Sequence, residues 1–397
     1  MRKIAASYVF LSNGTLLKNG VIVCNNKGTI TDIIENKNGL KEEAGLEFYS
    51  GILVPGFVNT HCHIELSHLH NKIEEKKGIG AFVGAIKQLR NSTPETIEEA
   101  VTIADKKMNA AGIVAVGDIS NSTVSLAIKQ KSKLFYHTFV ESFGFSPTVA
   151  NSAFDYVKLV HSEFKKNRLQ ASIVPHSPYS VSQPLFEKIK QFAAKSGSVL
   201  SIHNQESPSE TQFFKDGTGS IADYIKSNMD IDSSHWKPTG ESSLISTLPF
   251  LPTKNQLILV HNTFTMEEDL IELKKYRELK NTYFALCPNS NLYIENHLPP
   301  VSLFRKHNVN ICLGTDSLAS NHQLSILSEM ITLQQNFPEI ELNELLAWST
   351  KNGAKALNIE KEYGSFEKGK TPGINLISGI DFNTMKLTNA SRVKKLA

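Results

Sequence analysis

Short apolar runs alternate with amphipathic stretches along most of this chain. Runs centred near Val58, Val114, Phe139, Ile173, Ile202, Leu259, Phe284 and Leu313 have the length and composition of buried strands. Between them, 185–195, 266–275 and 323–335 place apolar residues at helical spacing. Repeated strand–helix units predict a parallel sheet, and eight of them read most simply as an α/β (β/α)8 TIM barrel. The first fifty residues follow another pattern. β runs at 8–11, 21–24, 30–34 and 47–49 are separated by Asn-Gly and Lys-Gly turn signals, which predicts antiparallel sheet. A further apolar run at 374–377 follows a Gly-Lys-Thr-Pro-Gly turn. The expected organisation is therefore a small β-sandwich domain made by 1–52 and 365–397, with the barrel occupying 53–364. The longest irregular stretch, 207–240, is rich in Ser, Asp and Gly and is expected to lie over the barrel mouth as a loop that could act as a lid.

The polar residues that interrupt this pattern fall at strand ends. The run from Val54 ends in His61, Cys62 and His63, and alternation along a strand turns both histidines to one face and Cys62 to the other. Two imidazoles so placed can grip one ion, while Cys62 reads as packing. The pair alone is as readily structural as metallic. His203, His261 and Asp316 each close an apolar strand of their own. In a barrel the C-terminal strand ends carry the chemistry, so the set points to a metal site.

With 397 residues, 40% of them hydrophobic, the chain can bury a barrel core and still supply an accessory domain. A net charge of +3 without a basic stripe gives no support for nucleic-acid binding. Polar residues break the first apolar run before signal-peptide length, and no run is long enough to span a membrane. Cysteines at 24, 62, 287 and 312 form no Cys-x-x-Cys pair, which suits a reduced, cytoplasmic protein. The expected partner is a small-molecule substrate; a homodimer is compatible with such a barrel, and the oligomeric state stays open.

Taken together, Pro55 to His63, His203 to Glu206, His261, the Cys-Pro-Asn-Ser-Asn run at 287–291 and Gly314 to Ser317 resemble the amidohydrolase superfamily. Within it they look most like the mononuclear aminohydrolases and chlorohydrolases, the branch of guanine, adenosine-type and aminofutalosine deaminases. The resemblance covers essentially the whole chain and implies that His61, His63, His203 and Asp316 ligate one divalent ion. Zinc is expected, with iron or manganese as alternatives. It also implies hydrolytic deamination by a metal-bound hydroxide, with Asp316 accepting a proton, His261 contacting the hydroxide or substrate, and Glu206 shuttling a proton to the ring nitrogen and the leaving amine. The fourth strand ends in His176 and offers no lysine to bridge a second metal.

His176, Glu141, Glu65 and Asn289 are the candidate substrate-binding residues, of which His176 and Glu65 could equally serve the fold. The motif continuing through Glu65 and Ser67 looks more like aminofutalosine than guanine deaminases. Deamination of an amino-substituted purine or purine nucleoside is therefore the leading expectation, with 6-aminodeoxyfutalosine or a 5′-modified adenosine favoured. Chlorohydrolase or cyclic amidohydrolase action on a triazine-like ring is the alternative within the chemistry. A catalytically silent binding module is the alternative outside it.

Overall fold

The computed structural model describes residues 1–36, 39–41, 43–228 and 233–397. Its strands, in chain order, are β1 (Arg2–Phe10), β2 (Leu16–Lys18), β3 (Val21–Cys24), β4 (Ile30–Ile34), β5 (Leu46–Pro55), β6 (Phe57–Cys62), β7 (Ile113–Ser120), β8 (Phe135–Ser142), β9 (Gln170–Pro175), β10 (Leu200–Asn204), β11 (Leu257–His261), β12 (Thr282–Leu286), β13 (Asn310–Leu313), β14 (Ile374–Asp381) and β15 (Lys386–Lys395).

β6 to β13 form two four-stranded parallel sheets, ordered β6-β7-β8-β9 and β10-β11-β12-β13. All eight apolar runs read from the sequence fall in these strands. β6, β7, β10, β11 and β12 are buried along their whole length, as strands covered on both faces must be. The sheets meet at two seams. At one, Thr315 N and Asp316 N both donate to His61 O, at 3.0 and 3.1 Å, beside an isolated parallel bridge between Cys62 and Asp316. At the other, His203 N donates to His176 O at 2.9 Å. Gly314 allows the first seam to close so tightly: a Cβ there would lie 2.8 Å from His61 Cβ and 2.9 Å from Cys287 Sγ.

The chain ends share a third, seven-stranded sheet in the order β15-β14-β5-β1-β3-β4, with β2 on β1. It is mixed, because β5 crosses to the far side of β1 and runs parallel to it instead of continuing the β3–β4 meander. β14 then pairs antiparallel with β5, matching Ile374 to Pro55 and Ile377 to Ile52. One apolar cluster joins Ile4, Val9, Ile22, Leu53, Phe366 and Ile374. No described helix is long and apolar enough to cross a membrane.

The described part of 207–240 is more regular than its composition suggests. It carries helices Pro208–Asp216 and Ser220–Asn228, and Trp236 stacks on Phe213 at 3.9 Å between ring centroids. Ser207 caps the first helix by accepting from Glu210 N, Pro208 occupies its first turn, and Gly217 ends it in the left-handed conformation, so the Ser and Gly content marks helix ends. Residues 229–232 of that stretch lie outside the described residues.

Candidate active site

The predicted ligands come together. His61 sits on β6 and His63 just beyond it, His203 lies on β10, His261 ends β11, and Asp316 follows β13. The last strands leave by an uncommon backbone route. Gln205, His261, Asn262 and Asp316 all have positive φ, of 49°, 70°, 54° and 54°. Non-glycine residues there cost about 1–3 kcal/mol each and persist only where the surroundings impose them.

His63 Nε2 stands 3.2 Å from both His61 Nε2 and His203 Nε2, while Asp316 Oδ1 is 3.6 Å from His61 Nε2 and 3.5 Å from His63 Nε2. His203 Nδ1 is 2.9 Å from the His176 carbonyl, which selects the tautomer with its Nε2 lone pair turned inward. Convergent imidazole lone pairs with one carboxylate oxygen make a donor set that could hold a divalent metal ion. Asp316 is fixed from behind, its Oδ2 accepting from Ser290 Oγ at 2.7 Å and Ser320 Oγ at 2.6 Å.

The electrostatics fit a cation. Burial drives the His61 ring down to about 4 and His176 to about 3, and pulls His63 and His261 below the usual range. Asp316 is well below the carboxylate range, because the hydrogen bond to His61 and the surrounding histidines outweigh its burial. His203 goes up to about 9, since the adjacent Glu141 carboxylate more than offsets desolvation. A metal ion competes with that proton for the same lone pair. Glu141, held at about 2, is buried at the end of β8; despite that burial, His176 and His203 keep it ionised. Its Oε1 is 3.2 Å from His203 Nδ1, but that nitrogen is directed at the His176 carbonyl, leaving the oxygen without a hydrogen-bond partner.

Glu206 follows β10 and approaches His261 Nε2 to 3.5 Å through Oε1. Burial lifts its carboxyl to about 8, with Asp316 and Glu210 adding to the rise against the opposing His203, so it holds a proton at neutral pH. His261 Nδ1 meets Asn291 Nδ2 at 3.1 Å.

Two candidate residues point elsewhere. Asn289 turns from the cluster: its Nδ2 donates to Ser328 Oγ and Glu329 Oε1 at 3.1 and 2.9 Å, and its Oδ1 accepts from Thr332. Glu65 accepts from Asn121 N at 3.1 Å and Ser125 Oγ at 3.2 Å, and burial raises it to about 7. Cys62 packs in the main core, where burial pushes its thiol up.

Sequence reading missed the supports of the first motif. Asp118 Oδ1 accepts from Ile64 N at 2.9 Å, directly after His63, and Asp118 Oδ2 pairs with the fully buried Lys129 at 2.6 Å. Lys129 also donates to Ser120 and Thr138. A lysine in the sequence gives no local signal of this pairing.

A cavity of about 600 Å³ opens from the cluster. His63, Glu141, His176, His203, Glu206 and Asp316 are among its polar lining. Helices Gly78–Leu89 and Ser220–Asn228 give it an apolar wall through Ile79, Phe82, Ile86 and Ile225, joined by Leu66 and Phe145. A ligand there meets polar chemistry on one side and aliphatic or aromatic surface on the other.

The chain is similar to known proteins over most of its length. Adenosine deaminase of Helicobacter pylori is 27% identical over 334 residues, spanning 83% of this chain and 79% of that protein. Aminodeoxyfutalosine deaminase of Nitratiruptor sp. is 25% identical over 385 residues, spanning 94% and 91%. The crystal structure of Helicobacter pylori aminofutalosine deaminase in complex with methylthio-coformycin matches with a TM-score of 0.84 at 23% identity, covering 100% of both chains. The sequence model of the Amidohydrolase family matches residues 52–396. With that match spanning most of its length, the chain belongs to the Amidohydrolase family.

Proposed function

We propose that this chain is a metal-dependent deaminase of amino-substituted purine nucleosides, with 6-aminodeoxyfutalosine or a 5′-modified adenosine as the favoured substrate type. The observation that carries it is the buried Glu206 carboxyl 3.5 Å from His261, beside the histidine–aspartate cluster and at the polar end of a cavity with an apolar wall. The relatives named above are deaminases of this kind, which supports the reading.

The two parallel sheets are the halves of one closed eight-stranded barrel spanning 53–364, and the seams at His61 and His176 support that closure. Residues 1–52 and 365–397 form the small β domain, built on the single seven-stranded sheet. His61, His63, His203 and Asp316 would hold one divalent ion, zinc in preference to iron or manganese. When bound, it lowers the pKa of water towards roughly 7.

Every remaining step belongs to side chains. Asp316 takes the proton of the attacking water as oxygen bonds to the amino-bearing carbon, and His261 orients that oxygen. Glu206 gives its proton to the adjacent ring nitrogen, so negative charge does not accumulate there. The ionised Glu206 then takes the remaining hydroxyl proton and hands it to the amine. The C–N bond breaks, ammonia leaves from an oxo-substituted product, and the proton held by Asp316 restores Glu206. Glu141, with its unpaired oxygen, and His176 bind substrate hydroxyls. The apolar wall suits an apolar group at the 5′ position.

The test is ammonia release by zinc-loaded protein from adenosine, 5′-deoxyadenosine, 5′-methylthioadenosine and 6-aminodeoxyfutalosine, with chlorotriazine as the contrast. Deamination of one or more nucleosides with no chloride release is expected. Chloride release without deamination would establish the triazine-ring alternative, and no turnover of any kind would favour a silent binding module.

A further inference from the structure

The turn that carries Glu206 off β10 has a clamp of its own. Glu210, buried in the first turn of helix Pro208–Asp216, faces back towards the strand end. Its Oε1 accepts from Gln205 N at 2.9 Å and its Oε2 from Glu206 N at 3.2 Å, while its own N–H donates to Ser207 Oγ. A carboxylate can only accept, so two successive amide protons suit its two oxygens.

The clamp holds an unfavourable backbone. Gln205 sits at φ 49°, in the left-handed region. Its side chain is locked as well: Nε2 donates to Asp269 Oδ2 at 2.7 Å, and Oε1 accepts from Thr265 Oγ1 at 2.6 Å. The resulting kink leaves the Glu206 carboxyl 3.5 Å from His261. An ordinary continuation of the strand would alternate Glu206 to the other face from Gln205 without that reversal.

We propose that Glu210 is a positioning residue for Glu206, clamping the Gln205–Glu206 backbone so that the Glu206 carboxyl faces His261 and the reacting ring nitrogen. The inference rests on the reading of Glu206 as the proton-transfer group. It differs from helix capping, which Ser207 performs on Glu210 N, and from metal binding, in which Glu210 takes no part.

A double-mutant cycle on the zinc-loaded full chain separates these roles. Glu210→Ala should lower kcat about tenfold to a hundredfold, the scale of a misplacement of about 1 Å, while KM moves far less and zinc per subunit stays constant. In a Glu206→Gln background the same substitution should cost almost nothing, because no proton-transfer group is left to misplace. Glu210→Gln, which keeps the size and one acceptor, should give a smaller loss with the same background dependence, and it serves where the alanine variant does not fold. Equal losses in both backgrounds, or loss of zinc, would overturn the clamp and leave Glu206 in its role. A wild-type rate for Glu206→Gln alone would overturn both.

Discussion

The seven-stranded sheet and the parallel strands are built from the same Ile, Val, Leu and Phe residues, but they end differently. Strands of the terminal sheet run into glycine turns and exposed polar loops, and their burial serves apolar packing alone, in two clusters of their own and in the main core. Among the parallel strands, β6 and β8 deliver a histidine or carboxylate at or near their ends, β11 ends on His261 in the left-handed region, and β13 leads to Asp316 in the same region. Regular strands need only side-chain pattern; the site needs backbone that the pattern alone does not favour, held at Gln205–Glu206 by Glu210 and at Ile64 by Asp118, and a carboxylate fixed from behind by Ser290 and Ser320.

Breaking each region should therefore fail in its own way. The largest effect is expected from His203→Ala or Asp316→Ala, which should remove both activity and metal; elemental analysis showing about one zinc per subunit in both variants would move the metal elsewhere. Truncation after Gly364 removes β14, β15 and the fully buried Phe366 and uncovers the β5 edge. That protein should aggregate or melt far below the full chain, and an unchanged melting curve would detach the tail from the sheet's stability.

Glu206→Gln should retain metal and lose about 10²–10⁴-fold in kcat. The carboxyl, raised to about 8, is protonated below that value and ionises above it. The wild-type rate should thus fall as pH rises through about 8, and this limb should vanish in the variant's residual activity. His176→Ala should act mainly through KM, with kcat/KM falling about 5- to 150-fold for a hydrogen bond of about 1–3 kcal/mol. The smallest effect is expected from Asn289→Ala: because Asn289 faces Glu329 and Ser328, KM should stay within about twofold of wild type, and a large rise would restore it to the substrate pocket.

What the sequence revealed follows the same division. β3 and β4 are read to the residue, and every parallel strand is found, because burial on both faces leaves continuous apolar runs. β15 escapes notice: its Lys, Thr, Asn, Ser and Arg residues carry a half-exposed edge with little apolar signal. His61, His63, His203, His261 and Asp316 stand out by their place at strand ends, and Glu206 through the family resemblance. Lys129, Asp118 and Glu210 do not, since their partners are chosen by the fold: Asp118 meets Ile64 across 54 positions of sequence. Asn289 shows the opposite failure, a polar residue at a strand end that serves a neighbouring helix.

The pairing of β14 with β5 also sets an order of events during synthesis. Roughly 320 residues separate Pro55 from its partner Ile374. At about 5–20 residues per second, β5 emerges roughly a quarter of a minute to a minute before the strand that covers it. For that interval Ile52 to Pro55 present an open hydrogen-bonding edge on the nascent chain, and ribosome-bound intermediates should be where chaperones and aggregation compete for this protein.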